Sequence, residues 1–420
     1  MKTHILRALT EKSFSYLWFG EVFTQIAINT LNFFLVLFVY ELTHSNTAVS
    51  GIIITYTIPA IIFGSIAGAY VDRWDKRTVL IFSNVARALL LIILAINIEN
   101  LAVLYILSFL IAVITQFFIP AETPMIPLTV RKENLLSANA LFGMAFSGSV
   151  VVAYLLAAPL LAWLGSVPTL FILAAILGLG AIFVYFVKVK GKPLVSSHKI
   201  KNRPNVFQEI KLAFQIFTQT KVISQAISLL ALAQVLTLII ATVAPGYASQ
   251  VLGIELKRFA LYFAAPAAIG MVVGGIVLVN FFHNARKKYM INAGIFLSGI
   301  CLMLLPLGSE VASRTIIQTI NNFLPAFLDI NILRTVVVLI FLIGVGNALV
   351  FVPSNTIVQE QTSDASRGKI YGFLNTIVGV LSLLPVILVG GLSDLIGVGS
   401  VLVGIGLSLF LLAVYNILRP

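Results

Sequence analysis

The sequence predicts an all-α polytopic membrane protein, with twelve transmembrane helices arranged as two pseudo-repeated six-helix bundles. Three observations predict it. The 420-residue chain is 60% hydrophobic and only 10% charged, with a mean hydropathy of +1.06, far more apolar than a water-soluble fold requires. Breaking it at charges and turn residues leaves about twelve apolar stretches, each long enough to cross a bilayer as a helix. The cations are concentrated in alternate connections between those stretches, as membrane insertion demands.

The spans fall near residues 14–40, 48–71, 78–97, 101–122, 135–164, 168–187, 222–250, 259–282, 289–307, 332–355, 369–392 and 399–418. The first is too long for a signal-peptide core and lacks a small-x-small cleavage site, so it reads as a retained span. An even number of spans places both termini on one side. Of the 27 Lys and Arg residues, 22 fall on that side; Lys257, Arg258, Arg314 and Arg334 fall on the other, and Arg87 lies within a span. Both termini are therefore expected in the cytoplasm of a cell with this protein in its cell membrane. The net charge of +12 is a topology signal, which removes nucleic acid as a partner. The lone cysteine, Cys301, rules out a disulfide framework and a cysteine metal site.

Residues 1–187 form the expected N-terminal bundle, 188–221 a cytoplasmic linker and 222–420 the C-terminal bundle. The linker could carry an amphipathic helix over Val206 to Phe217. The halves look related. Gly64 and Gly68 correspond to Gly270 and Gly274, Phe118-Ile119-Pro120-Ala121 to Phe351-Val352-Pro353-Ser354, and Leu164-Gly165 to Ile396-Gly397. An extra segment at 309–331 has helical apolar spacing and reads as a surface helix on the outer side. Two six-span halves repeated in parallel are the architecture of a transporter with a site where the halves meet.

The stretch Gly64 to Arg77 combines a small-residue helix end with five charges in six residues, Asp72, Arg73, Asp75, Lys76 and Arg77. Gly64 and Gly68, and likewise Gly270 and Gly274, suit close helix packing in a membrane. The charges must end the span. Asp72, Arg73, Lys76 and Arg77 suit a salt-bridge network made in one conformation and broken in another, although a loop that only fixes topology would look similar.

Polar groups in hydrocarbon are costly, on the order of 2.5–3.5 kcal/mol for a central charge, so they usually face the bundle interior. In the first span Glu21, Gln25, Asn29 and Asn32 share one helical face. That stripe is expected to line a cavity, with Glu21 exchanging the coupling proton; at an interfacial depth Glu21 would instead simply stay hydrated. Gln116, Gln234, Asn347 and Asn375 are further cavity candidates, although a lone amide is more often a helix–helix hydrogen bond. Arg87 has no partner nameable from sequence, and Glu122 lies near the end of the fourth span among Pro120, Pro124 and Pro127. No enzyme signature is present: His4, His44, His198 and His283 are scattered, and neither a zinc-protease motif nor a phosphate-binding glycine loop occurs. No cofactor or metal is expected, and the energy source would be an ion gradient, taken to be protons.

Gly68-Ala69-Tyr70-Val71-Asp72-Arg73-Trp74-Asp75-Lys76-Arg77 resembles the signature loop between the second and third spans of the major facilitator superfamily of secondary transporters. In that family the Asp and the terminal Arg belong to a charge network that steadies one access state. Ser13-Phe14, Tyr40-Glu41-Leu42-Thr43, Phe118-Ile119-Pro120-Ala121, Ser137-Ala138-Asn139-Ala140-Leu141 and Arg367-Gly368-Lys369-Ile370-Tyr371-Gly372 look most similar to its macrolide-efflux and enterobactin-exporter branch. Asp75 stands where the signature usually has glycine, and Leu278 stands where Asp72 would repeat. The resemblance implies the major facilitator fold and alternating access. The expected function is proton-coupled efflux of an amphipathic, drug-like small molecule by a monomer in the bilayer. A siderophore exporter or lysophospholipid translocator is the near alternative, and a membrane enzyme or receptor the remote one.

Overall fold

The computed structural model describes residues 5–71, 74–188, 221–255, 258–282, 286–306, 332–361 and 364–418. Asp72, Arg73, the linker helix expected at 206–217 and the segment 309–331 lie outside these residues. The described residues hold twelve helices long and apolar enough to cross a membrane. In chain order these are α1 (Lys12–Thr43), α2 (Asn46–Val71), α3 (Lys76–Ile96), α4 (Leu101–Glu122), α5 (Leu135–Leu164), α6 (Ser166–Tyr185), α7 (Lys221–Gly246), α8 (Ala265–Phe281), α9 (Lys287–Leu304), α10 (Ile332–Gln361), α11 (Asp364–Ile396) and α12 (Val398–Leu418). A short helix, Met125–Thr129, follows α4, and π-helical turns continue α7 over Tyr247–Val251 and precede α8 over Ala260–Ala264.

The chain folds as two compact units, Met1–Phe38 with Gly51–Lys211, and Val39–Ser50 with Leu212–Pro420. The division by sequence places residues 39–50 in the first half; packing places the turn between α1 and α2 in the second unit. The reason is local. Asn46 packs against Gly246 so closely that a Cβ there would strike its amide, and Ser50 donates to the Val386 carbonyl at 2.8 Å.

In the first unit, α3 packs along α6 and α4. Asp75 starts α3 as its N-cap, its Oδ1 accepting from Thr78 N at 2.8 Å and Thr78 Oγ1 at 2.7 Å. Asp75 thus has a structural use, worth about 1 kcal/mol for a typical cap. Asn100 caps α4 in the same way. Below the polar site an apolar cluster joins Phe14, Leu17, Val79, Leu80, Phe118, Met125, Leu141, Phe142 and Val184. Gly20 and Gly180 let α1 and α6 touch; a Cβ at Gly180 would meet Thr24 Oγ1 at 2.9 Å.

In the second unit α8 packs along α10, α9 lies between α10 and α12, and α11 packs on α7. Gly270 faces the Phe341 carbonyl with no space for a side chain, and a Cβ at Gly274 would meet Val345 Cα at 3.1 Å. The expected close approach is therefore found in this half. At Gly64 it is not: an added Cβ would meet only Gln116 Oε1, at 3.7 Å, which is ordinary contact, because a side chain rather than a backbone lies opposite. The side-chain environment of Gly68 lies outside the described set. The two halves do share the turn they were aligned on, since Gly165 (φ 82°) between α5 and α6 and Gly397 (φ 87°) between α11 and α12 both adopt the left-handed conformation that glycine accommodates.

Large apolar side chains cover the outer faces: Phe82, Leu89, Ile96, Ile106, Trp163, Phe281 and Leu395 are all exposed. In water such continuous apolar exposure promotes aggregation; in a bilayer it is the required surface.

Candidate functional site

The first unit contains a buried polar seam that runs across four helices. It begins at Glu21 on α1, only 3% exposed. Glu21 Oε1 accepts from Gln25 Nε2 at 2.8 Å, and Asn29 Nδ2 reaches Gln25 Oε1 at 3.5 Å and Ser149 Oγ on α5 at 3.0 Å. Three of the four stripe residues thus form one ladder, because a step of four along a helix stacks side chains on one face. The fourth, Asn32, lines a cavity of about 140 Å³ together with Ile28, Leu31, Tyr56, Ser108, Thr115 and Gln116. Ser108 Oγ is buried there with no hydrogen-bond partner.

The seam's cation is Arg87 on α3, the largest fully buried side chain among the described residues. Its Nη2 donates to Asn84 Oδ1 at 2.6 Å, its Nη1 to Thr115 Oγ1 at 3.3 Å and its Nε to the Ser83 carbonyl at 3.1 Å. The guanidinium stacks over Phe118, with Cζ 4.6 Å from the ring centroid, a cation–π contact that strengthens away from water. Asn84 Nδ2 in turn donates to Thr24 Oγ1 at 3.0 Å, which ties Arg87 to α1 one turn from Glu21. Glu122, the last residue of α4, is likewise buried, at 8% exposed, and lies within electrostatic range of Glu21 and Arg87.

The period of the stripe is legible along one helix, whereas the sequence leaves Arg87 without a partner and Glu122 among the weaker candidates. A signal was available: Ser83, Asn84 and Arg87 share one helical face, and Arg87 is the one cation within a span. Thr24, Thr115 and Ser149 gave no such signal, since a membrane Thr or Ser more often bonds its own helix.

The other expected residues divide between the units. Gln116 lines the first unit's cavity beside Thr115. In the second unit Asn347 Nδ2 donates to Thr237 Oγ1 at 3.0 Å, joining α10 to α7, which fits a helix–helix tie. Gln234 is half-buried, and Asn375 is exposed. In the charged loop, Arg77 donates from Nη2 to the Tyr185 carbonyl at the end of α6, and its Cζ lies 5.4 Å from the Tyr185 ring centroid. Lys76 is half-buried at the start of α3. The second unit has an ion pair of its own at the corresponding loop, where Lys287 at the start of α9 meets Glu360 Oε2 of α10 at 2.5 Å.

Twelve helices of membrane-crossing length and composition among the described residues make this a multi-pass membrane protein. The chain belongs to the Major Facilitator Superfamily, whose family model matches residues 17–321. Among curated proteins it is similar to macrolide efflux protein A of Streptococcus pyogenes, 26% identical over 304 residues that cover 69% of this chain and 71% of that one. It also resembles the MFS-type transporter YfiS of Bacillus subtilis (strain 168), 24% identical over 130 residues covering 29% and 31% of the two chains. Among solved structures, the nucleoside transporter NupG superposes with a TM-score of 0.68 at 14% identity, covering 97% of this chain and 98% of that one. A bacterial homolog of the human lysosomal transporter Spinster superposes with a TM-score of 0.69 at 12% identity, covering 100% and 98%. At these identities the structural likeness defines the fold.

Proposed function

We propose that this protein is a proton-coupled exporter of amphipathic, macrolide-like compounds, working as a monomer by alternating access in the cell membrane with both termini cytoplasmic. The observation that carries the coupling is Glu21: a buried carboxyl at the head of an amide ladder through Gln25 and Asn29, on the helical face from which Asn32 lines the cavity. A carboxyl in that setting can change charge only by exchanging a proton, and the change alters the polarity of everything along the ladder. The cavity mixes aliphatic side chains with Tyr56, Gln116 and Asn32, the composition that suits an apolar cargo with a few hydrogen-bonding groups. The likeness to a macrolide efflux protein supports the cargo class.

The test is expression in a bacterial host lacking its own drug exporters. Accumulation of radiolabelled erythromycin is expected to fall, and a protonophore is expected to restore it. Unchanged accumulation of erythromycin would reject the macrolide cargo, and efflux indifferent to the protonophore would reject proton coupling.

A further inference from the structure

We infer that the cavity lined by α1, α2 and α4 is a subsite for one uncharged, hydroxyl-bearing six-membered ring, with Ser108 as the residue that selects for the ring's hydroxyl groups. That a larger cargo carries this ring rests on the export reading proposed above; the binding of the ring rests on the cavity itself.

The cavity measures about 140 Å³, and its wall belongs to the first unit alone. Pockets for drug-sized ligands start at roughly 300 Å³, so a whole amphipathic cargo does not fit. An apolar cavity of roughly 150 Å³ holds a benzene ring, so one six-membered ring does.

The chemistry of the wall selects among rings. Ile28, Leu31, Leu35 and Ile111 offer aliphatic contact to the ring faces. Asn32, Ser108 and Gln116 add amide and hydroxyl groups that both donate and accept. Ser108 is 5% exposed, and its Oγ has no hydrogen-bond partner among the described residues. A serine in a helix commonly bonds a carbonyl of the preceding turn, as Ser382 does to the Gly379 carbonyl at 3.0 Å. Ser108 does not, and a buried hydroxyl left unpaired is costly and uncommon. The cavity is the side from which a partner can come. Gln116 is little better served, since its Nε2 reaches the Ala112 carbonyl at 3.5 Å. An aromatic or aliphatic ring would leave these groups unpaired, whereas ring hydroxyls match them.

Charge is excluded for a separate reason. None of the ten lining residues is Asp, Glu, Lys, Arg or His. Arg87 touches the wall through Thr115, whose hydroxyl donates to the Ile111 carbonyl at 2.8 Å and accepts from Arg87 Nη1 at 3.3 Å. The guanidinium's other bonds go to Ser83 and Asn84. A charged ring would lose its water in the cavity and meet no counter-charge on the wall.

The test is saturation-transfer NMR of phenyl β-D-glucopyranoside with the purified full-length protein in lipid nanodiscs, and empty nanodiscs as the blank. It involves neither efflux nor a proton gradient, so its outcome is independent of whether erythromycin is exported. The wild type is expected to transfer magnetisation to the sugar-ring protons, and Ser108→Ala and Asn32→Leu each to weaken the affinity roughly tenfold. Ser108→Ala removes an unpaired group, so its unfolding temperature should equal or exceed that of the wild type; a merely structural serine would lower it. Ser354→Ala removes a second buried, unpaired hydroxyl, in the second unit, and should leave binding unchanged. Phenyl β-D-glucuronide, with a carboxylate in place of the hydroxymethyl group, should bind about tenfold more weakly or worse. No transfer from the wild type above the blank, or equal affinity in Ser108→Ala and the wild type, overturns the subsite. Glucuronide binding as tight as that of the glucoside overturns its preference for an uncharged ring.

Discussion

Asp394, near the end of α11, holds Asn46 at the start of α2 through two bonds to one oxygen: Oδ1 accepts from the backbone N and from Nδ2 of Asn46, each at 2.9 Å. Oδ2 accepts from Ser45 Oγ at 2.7 Å, Thr47 N at 2.9 Å and Thr47 Oγ1 at 2.8 Å. The first backbone donors of a helix have no partner within it, and here a carboxylate from a distant helix supplies the acceptor that a local cap would. Its charge is also matched to the positive end of the helix dipole.

Asp394→Ala is accordingly expected to lower stability by about 1–2 kcal/mol, the range of a lost helix cap, even though the side chain is exposed. Asp394→Asn keeps an acceptor and should lose less. Thermal unfolding in detergent checks both, and equal stability of the wild type and the alanine variant would show that water replaces the cap fully.

The glycine pairs make opposite predictions from the same sequence spacing. Gly270→Ala would drive a methyl into the Phe341 carbonyl, and overpacking of that kind costs about 1–3 kcal/mol. Gly64→Ala meets only the flexible Gln116 amide at ordinary contact distance, so a change within about 0.5 kcal/mol is expected. The yield of monodisperse protein and its unfolding temperature measure the contrast.

That contrast shows what the sequence can carry. Apolar runs, cation placement and the paired turns at Gly165 and Gly397 made the twelve-helix, two-half architecture legible, because each depends on residues near one another in the chain. Small residues four apart announce an opportunity for close packing but not the partner: among the described glycines of the two pairs, Gly270 and Gly274 meet a backbone and Gly64 does not. The candidate site divides in the same way. The Glu21–Gln25–Asn29 ladder is a property of one helix and could be read by its period. Arg87 depends on Asn84 beside it but also on Thr115 and Phe118 of α4, and Glu122, at the end of the fourth span among prolines, carries no periodic signal that would single it out.

Glu21→Gln is expected to abolish the protonophore-sensitive part of erythromycin efflux while leaving the protein folded. The amide can still accept from Gln25 through its oxygen, but it cannot release a proton. Retention of full protonophore-sensitive efflux in this variant would remove Glu21 from the coupling machinery.

Arg87 separates charge from shape. Arg87→Lys keeps the cation but offers fewer, less rigidly placed donors to Ser83, Asn84 and Thr115, so stability should fall. Arg87→Met removes the charge as well as every donor and leaves the Asn84 and Thr115 oxygens without that partner, so stability should fall further than in the lysine variant. Equal unfolding temperatures of the two variants in detergent would mean that the charge adds nothing to what the shape of Arg87 contributes.

Asn84 offers the sharpest test of the seam, because it has two jobs that substitutions can split. Its Oδ1 accepts from Arg87, and its Nδ2 donates to Thr24 Oγ1. Asn84→Leu removes both and leaves a buried guanidinium N–H unsatisfied, a loss of about 1–3 kcal/mol that the added apolar contacts do not offset at a site already filled. Asn84→Asp keeps the acceptor for Arg87, and Thr24 can reverse its bond, since its hydroxyl already lies 3.2 Å from Oδ1. It should therefore fold better than the leucine variant. Unfolding temperature in detergent is expected to rank the wild type above the aspartate variant and the aspartate variant above the leucine variant. If the two variants lose stability equally, the seam is a packing feature and the bonds that Asn84 makes to Arg87 and Thr24 do not carry the effect.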